Sequence, residues 1–264
     1  MKTPFITIFV VAILIIGLFL AFYDYKKHGI HEQPIGISRS QSDTLKKARL
    51  KGEQLSEQKN YEAAIQEYKK AIQISPKDPY IHNDLGAAYY YLGLKAMNPP
   101  IPEDEDMGYG TSVDARALTK EQMTEKIKEA LDIVKSGVIT VVVKDPTMSK
   151  DIESFIRPTG NYVYIEDEPR EDGGKNYWAT IITGITKDYF LNAEKEYLAS
   201  VDLLFVRDAT GRKYSSYAVA SRNLGTLYFR MGKKKEAVSN WQRALQLEPS
   251  DEELKNLVDS YRKK

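Results

Sequence analysis

The strongest constraint on this chain is that part of it is written twice. Residues 45–93 read LKKARLKGEQLSEQKNYEAAIQEYKKAIQISPKDPYIHNDLGAAYYYLG, and residues 218–251 read AVASRNLGTLYFRMGKKKEAVSNWQRALQLEPSD. Aligned on Pro76 and Pro249, the copies set Gly52 on Gly225, Ala64 on Ala237, Ala71 on Ala244 and Tyr68 on Trp241. Small and apolar residues recur at helical spacing: Ala48, Gly52 and Leu55, then Tyr61, Ala64, Ile65, Tyr68, Ala71 and Ile72. Each copy therefore predicts two antiparallel helices, the first capped by Ser42 or Asp43 and the turn placed at Asn60. Small side chains let the axes approach, and the large ring fills the gap to the next unit. The proline stops the second helix because it lacks an N–H and clashes with the preceding turn.

A unit of 34 residues with these offsets resembles the tetratricopeptide (TPR) repeat. A third copy begins at Pro79, with Leu85, Gly86 and Tyr89 at the first-helix offsets, but no partner helix follows Gly93. A candidate partner is Asp188–Phe205, where Ala193 and Tyr197 are spaced like Ala64 and Tyr68, and Ser200 stands in the place of Ala71. The expected fold is mainly α: a TPR-like solenoid of about three helical hairpins plus a capping helix, with a small α+β insertion. The expected divisions are an N-terminal transmembrane anchor (1–23), a polar linker (24–42) and repeat 1 with the first helix of repeat 2 (43–93). The insertion (94–187) and the second helix of repeat 2, repeat 3 and the capping helix (188–264) follow. The last helix carries the apolar stripe Leu254, Leu257, Val258 and Tyr261, which suits the open end of a repeat stack.

The insertion opens with prolines and glycines and the acidic run Glu103–Asp106, which lacks the alternating ligand spacing of a calcium loop. Thr119 with Gln122 predicts a capping box before a helix with Met123, Ile127, Ala130, Leu131 and Val134 on one face. Residues 138–143, 161–165 and 177–182 read as strands, residues 166–176 as a hairpin tip, and 149–156 as a short helix. On this reading the insertion is removable: excising 94–187 leaves a folded stack.

The chain has 264 residues, a net charge of +1 and no cysteine. Balanced charge argues against a nucleic-acid partner, and lack of cysteine excludes disulfides and thiol chemistry. Twenty uncharged residues, Pro4 to Tyr23, make a helix of about 30 Å, long enough to span the hydrocarbon core. A cleaved signal is the rival, yet only Ala21 is small near its end. The short basic N-terminus favours a signal-anchor in a bacterial inner membrane, with the soluble part outside the cytoplasm. The Lys and Arg count after the span favours the opposite, cytoplasmic-facing arrangement. His28 and His31 lack further ligands, so no metal or cofactor is expected.

The resemblance implies an inner groove lined by the first helices. By offset its residues are Arg49, Glu53, Tyr80, Asn83, Tyr90, Tyr91, Arg222, Thr226, Phe229 and Arg230. They form either a peptide groove with aromatic pockets and cations, or a solvated face whose tyrosines pack on the insertion. Some TPR chaperone adaptors clamp a ligand carboxylate with a lysine and an asparagine. Here Arg49 stands for the lysine, but Glu53 stands where the asparagine belongs and would repel that carboxylate, so this activity is not carried over. No nucleophile elbow or phosphate loop is present, so no catalytic residue is assigned. The expected role is a membrane-anchored scaffold that holds a protein or peptide partner. The alternative is a small-ligand sensor or enzyme with its site in the insertion.

Overall fold

The structure, a computed structural model, describes residues 38–97, 111–208 and 215–262. The apolar stretch Pro4–Tyr23, the histidine pair and the acidic run lie outside the described residues. Among the described residues, no helix is long and apolar enough to cross a membrane.

Three helices open the fold: α1 (Arg39–Glu57), α2 (Tyr61–Ile74) and α3 (Pro79–Lys95). The insertion contributes β1 (Thr111–Asp114), α4 (Lys120–Ile133), β2 (Gly137–Val143), α5 (Pro146–Ile156), β3 (Tyr162–Pro169) and β4 (Lys175–Thr183). The helices then resume with α6 (Gly184–Asp208), α7 (Ser215–Arg230), α8 (Lys234–Leu247) and α9 (Glu252–Arg262).

The helices pack as three hairpins: α1 with α2, α3 with α6, and α7 with α8. One contact recurs in all three. A Cβ on Gly52 would come 2.6 Å from the Tyr68 ring, one on Gly86 2.8 Å from Tyr197, and one on Gly225 2.5 Å from Trp241. Only a missing side chain lets each ring lie on the facing backbone, and overpacking there costs ~1–3 kcal/mol. The middle hairpin therefore uses the same lock as its neighbours, although its two helices are separated in sequence by a whole α+β unit. Ala193 and Tyr197 are buried in one cluster with Leu85, Ala88 and Tyr89 of α3.

The insertion has four strands rather than the three read from sequence, in the order β1-β2-β4-β3. β1 escaped notice because four residues with two on each face give no usable alternation. It pairs parallel with β2; the other two pairings are antiparallel. The hairpin tip is also shorter than the polar stretch suggested, because β3 runs on to Pro169. Thr119 and Gln122 form the expected capping box on α4, and Asp145 caps α5. The first helix starts earlier than expected: Ser38, in a capping box with Gln41, caps α1, so Ser42 and Asp43 lie within its first turns.

One face of the sheet carries Val113, Ile139, Val141, Ala179 and Ile181, packed on Met123, Ile127, Ile152 and Ile156 of α4 and α5. The register puts Tyr162, Tyr164, Glu166, Trp178, Thr180 and Ile182 on the other face. That face meets the helical stack. Val138 and Ile182 belong to the cluster that holds α3 and α6, so the insertion is continuous with the repeat core.

Candidate functional site

The first helices α1, α3 and α7 supply the residues assigned to a groove, and the structure divides those residues by offset. Arg49, Asn83 and Arg222 share one offset, and each reaches toward the next unit. Arg49 sits 3.9 Å from Asp78, which in turn accepts the Tyr80 N–H at 3.0 Å and caps α3. Arg222 pairs with Asp251, which accepts the Leu254 N–H at 3.0 Å and caps α9. The Asn83 carbonyl accepts from the Asn223 amide at 3.0 Å, tying α3 to α7. The two arginines are therefore struts between successive units, not cations held out to a ligand. Burial lowers the Arg222 pKa from its usual value.

The later offsets are filled by packing. Tyr80 and Tyr90 are buried, and Tyr90 stacks on Phe190 of α6 at 5.9 Å. Tyr91 stacks on Tyr61 of α2 at 5.4 Å. Phe229 is buried against Trp241 and Tyr261, at 5.7 and 5.0 Å. Arg230 is half-buried, with Nε and Nη1 shielded from solvent. These rings join first helices to second helices and offer no open aromatic pocket.

What remains along the row is Glu53, Ala87 and Thr226, at one common offset and all half-buried. The Thr226 hydroxyl donates to the Arg222 carbonyl at 3.1 Å. Beside them lies Asp84, fully enclosed. Burial pushes its carboxyl up to about 7 against the opposing pull of Arg49.

Asp78, Asp84, Asn223 and Asp251 were not in the sequence-based set. For two of them a signal existed: Asp78 and Asp251 align in the two copies, as do Arg49 and Arg222. An aligned opposite-charge pair reads as one contact made twice.

Outside the row, His82 is held from both sides. Its Nδ1 is 2.6 Å from Glu196 of α6 and its Nε2 is 3.0 Å from the Pro76 carbonyl. The Pro76 carbonyl and an ionised Glu196 are both acceptors, an arrangement that favours the charged ring. Burial pulls its pKa down, but the bonds to Glu196 and Pro76 outweigh this and leave it raised.

The sheet grips the third hairpin at the α7–α8 turn. Glu166 accepts the backbone N–H groups of Lys234 and Lys235, both at 2.8 Å. Lys233 Nζ pairs with Glu194 at 2.7 Å and lies 4.8 Å from the Tyr228 ring, 5.8 Å from Tyr162 and 5.9 Å from Tyr164. The Tyr164 hydroxyl donates to Glu236 at 2.9 Å. Among the described residues, no group of three or more His, Asp or Glu is arranged to hold a metal.

Two family profiles match the helical parts, one described as TPR repeat over residues 52–93 and one as tetratricopeptide repeat over 218–251. Both helical parts of the chain carry TPR repeats. The chain is similar to solved structures at low identity. The N-terminal domain of stress-induced protein-1 (STI-1) from C. elegans is 14% identical, with a TM-score of 0.41, covering 84% of this chain and 98% of that one. A Pseudomonas aeruginosa pilF structure is 13% identical, with a TM-score of 0.29, covering 85% and 72%. The MamA protein is 15% identical, with a TM-score of 0.22, covering 84% and 87%. No curated protein matches the chain.

Proposed function

We propose that this TPR protein is a membrane-tethered adaptor that holds a protein or peptide partner along its first-helix row. The apolar stretch Pro4–Tyr23 is the tether, and the assembly it serves is one built at a membrane or cell envelope. The preferred orientation leaves the stack outside the cytoplasm of a bacterial inner membrane.

The observation that carries the adaptor role is the register of α1, α3 and α7. Arg49–Asp78, Asn83–Asn223 and Arg222–Asp251 fix each first helix to its successor, so Glu53, Ala87 and Thr226 stand in a preset line. A preset line binds without the cost of ordering backbone. The surface is polar and small rather than aromatic, which suits an extended segment lying along the row. The sensor or enzyme reading draws no support from the insertion, whose interior is filled by aliphatic side chains such as Ile127, Ile139, Ile152 and Ile181.

A photoreactive residue placed at Glu53, Thr226 or Asn192 tests the role in native membranes. Asn192 is exposed on α6, a second helix. The same partner is expected as an adduct at Glu53 and Thr226 and not at Asn192. Adducts of equal yield at all three positions, or at none, overturn the proposal.

A further inference from the structure

The leading face of the stack differs from every internal face. In α3 and α7, the face turned to the preceding unit is apolar: Ile81, Leu85 and Ala88 in α3, and Ala220, Leu224 and Leu227 in α7, all buried. The matching offsets in α1 are Lys47, Lys51 and Gln54. Lys46, Lys47, Leu50, Lys51 and Gln54, with Asp43, fall at i, i+3, i+4, i+7, i+8 and i+11 and line one shallow depression of about 410 Å³. Leu50 is 48% exposed at its centre. Lys51 is partly used by Glu67, at 2.9 Å. The opposite end is closed differently: α9 exposes Glu252, Lys255, Asn256 and Asp259, with the signs mixed.

We infer that the α1 face docks on anionic lipid headgroups, through Lys46 and Lys47 with Leu50 between them. The inference rests on the proposed tether. Residues 24–37 join the apolar stretch to α1 and add Lys26 and Lys27. Fourteen residues reach at most about 50 Å, so the basic face is never far from the bilayer that holds the tether. Each lysine near an anionic surface is worth about fivefold in association. Two lysines would not recruit a free protein, but tethering makes the step intramolecular, where a bias of about 25-fold decides the orientation. Leu50 adds apolar contact at the headgroup boundary. Docked this way, the stack is pinned at its leading end and the rest of the first-helix row extends from the membrane.

The chain has no cysteine, so a single label is clean. The full chain with Gln54→Cys carries a fluorophore in nanodiscs doped with nitroxide-headgroup lipid. One disc type is phosphatidylcholine alone; the other is about one-third phosphatidylglycerol. At least about twofold stronger quenching is expected in the anionic discs. That excess should vanish in about 0.5 M salt, where screening is within a few ångströms, and in the Lys46→Glu, Lys47→Glu variant. A label at Asn256→Cys should remain bright in both discs. Equal quenching in the two lipids, or an excess that survives charge reversal, overturns the docking while leaving the tether intact. A chain that does not co-purify with either disc overturns the tether, and the docking with it.

Discussion

The turns of the first and third hairpins have the same backbone and opposite dependence on their surroundings. After α1, Lys59 takes a left-handed φ of 57° and the Asn60 N–H returns to the Leu55 carbonyl at 2.9 Å. After α7, Gly232 takes a φ of 79° and the Lys233 N–H returns to the Tyr228 carbonyl at 2.9 Å. The geometry is one turn made twice. The next helix starts differently in each. Asn60 caps α2 with its own side chain, accepting from the Ala63 N–H. Lys233 stands at the same place and gives α8 no side-chain cap. Glu166, on β3, supplies the acceptor instead. A carboxylate there also sits well against the positive end of the helix dipole. Gly232 is pressed on Thr180 of β4, where a side chain would collide. The first hairpin is complete in its own sequence; the third is completed by a segment inserted into the second.

The largest way to break this comparison is to remove the insertion. The sequence alone suggests that excision leaves the stack folded, and the structure argues otherwise. Excision deletes the α8 cap, the ring cluster around Lys233, and Val138 and Ile182 from the shared core. The expected outcome for a variant lacking 94–187 with a short linker is a native-like α1–α2 hairpin and an unprotected α7–α8 hairpin. Hydrogen exchange read by mass spectrometry checks it. Full protection of α8 in that variant would show that its missing cap is unimportant.

The periodic elements were legible because periodicity is local. Tyr68 and Trp241, with the glycines they cover, are set by spacing inside one unit, and the displaced pair Ala193 and Tyr197 could be found by the same spacing. The groove was legible only as a list of offsets. Tyr90 and Phe229 carry aromatic rings that suit either a pocket or a core, and which one holds depends on Phe190 and Trp241, contributed by another helix. The Glu166 cap was illegible for a stricter reason. An acidic residue in a charged hairpin, 68 positions from the helix it caps, looks like every solvated neighbour around it.

The junction of the first and middle units should also respond to a pH ramp. Asp84 lies at the junction of the first and middle units, facing Arg49, Glu53, Asp78 and Asn83. Its folded pKa of about 7 exceeds the ordinary 3.8, so the folded state keeps a proton that the unfolded chain has released. The stability it contributes is fully present below about pH 4 and is lost as pH rises through about 7, at roughly 1.4 kcal/mol per pH unit within that window. His82, also raised, loses one of its two bonds in the same direction as pH rises. Urea unfolding at a series of pH values should show stability falling from acid toward neutral, with the slope flattened by Asp84→Asn. An unchanged slope in Asp84→Asn would place the titration elsewhere.

The finest comparison sets the two caps against each other. Asn60→Ala removes a local acceptor at an exposed turn, where water can replace it, and the cost should be about 1 kcal/mol. Glu166→Ala strips two N–H groups at a half-covered helix start, where an unpaired buried donor would cost ~1–3 kcal/mol. Burial also raises the Glu166 pKa, so part of the gain from its charge is offset and the cost should stay near the lower half of that range. The two variants should therefore differ by only about 1 kcal/mol in overall stability while differing in place. Loss of exchange protection should start at α2 in the first and at α8, together with β3, in the second. Joint loss at α8 and β3 is the signature of a cap that belongs to another element. Loss at α8 alone would mean that Glu166 follows the helix rather than holding it.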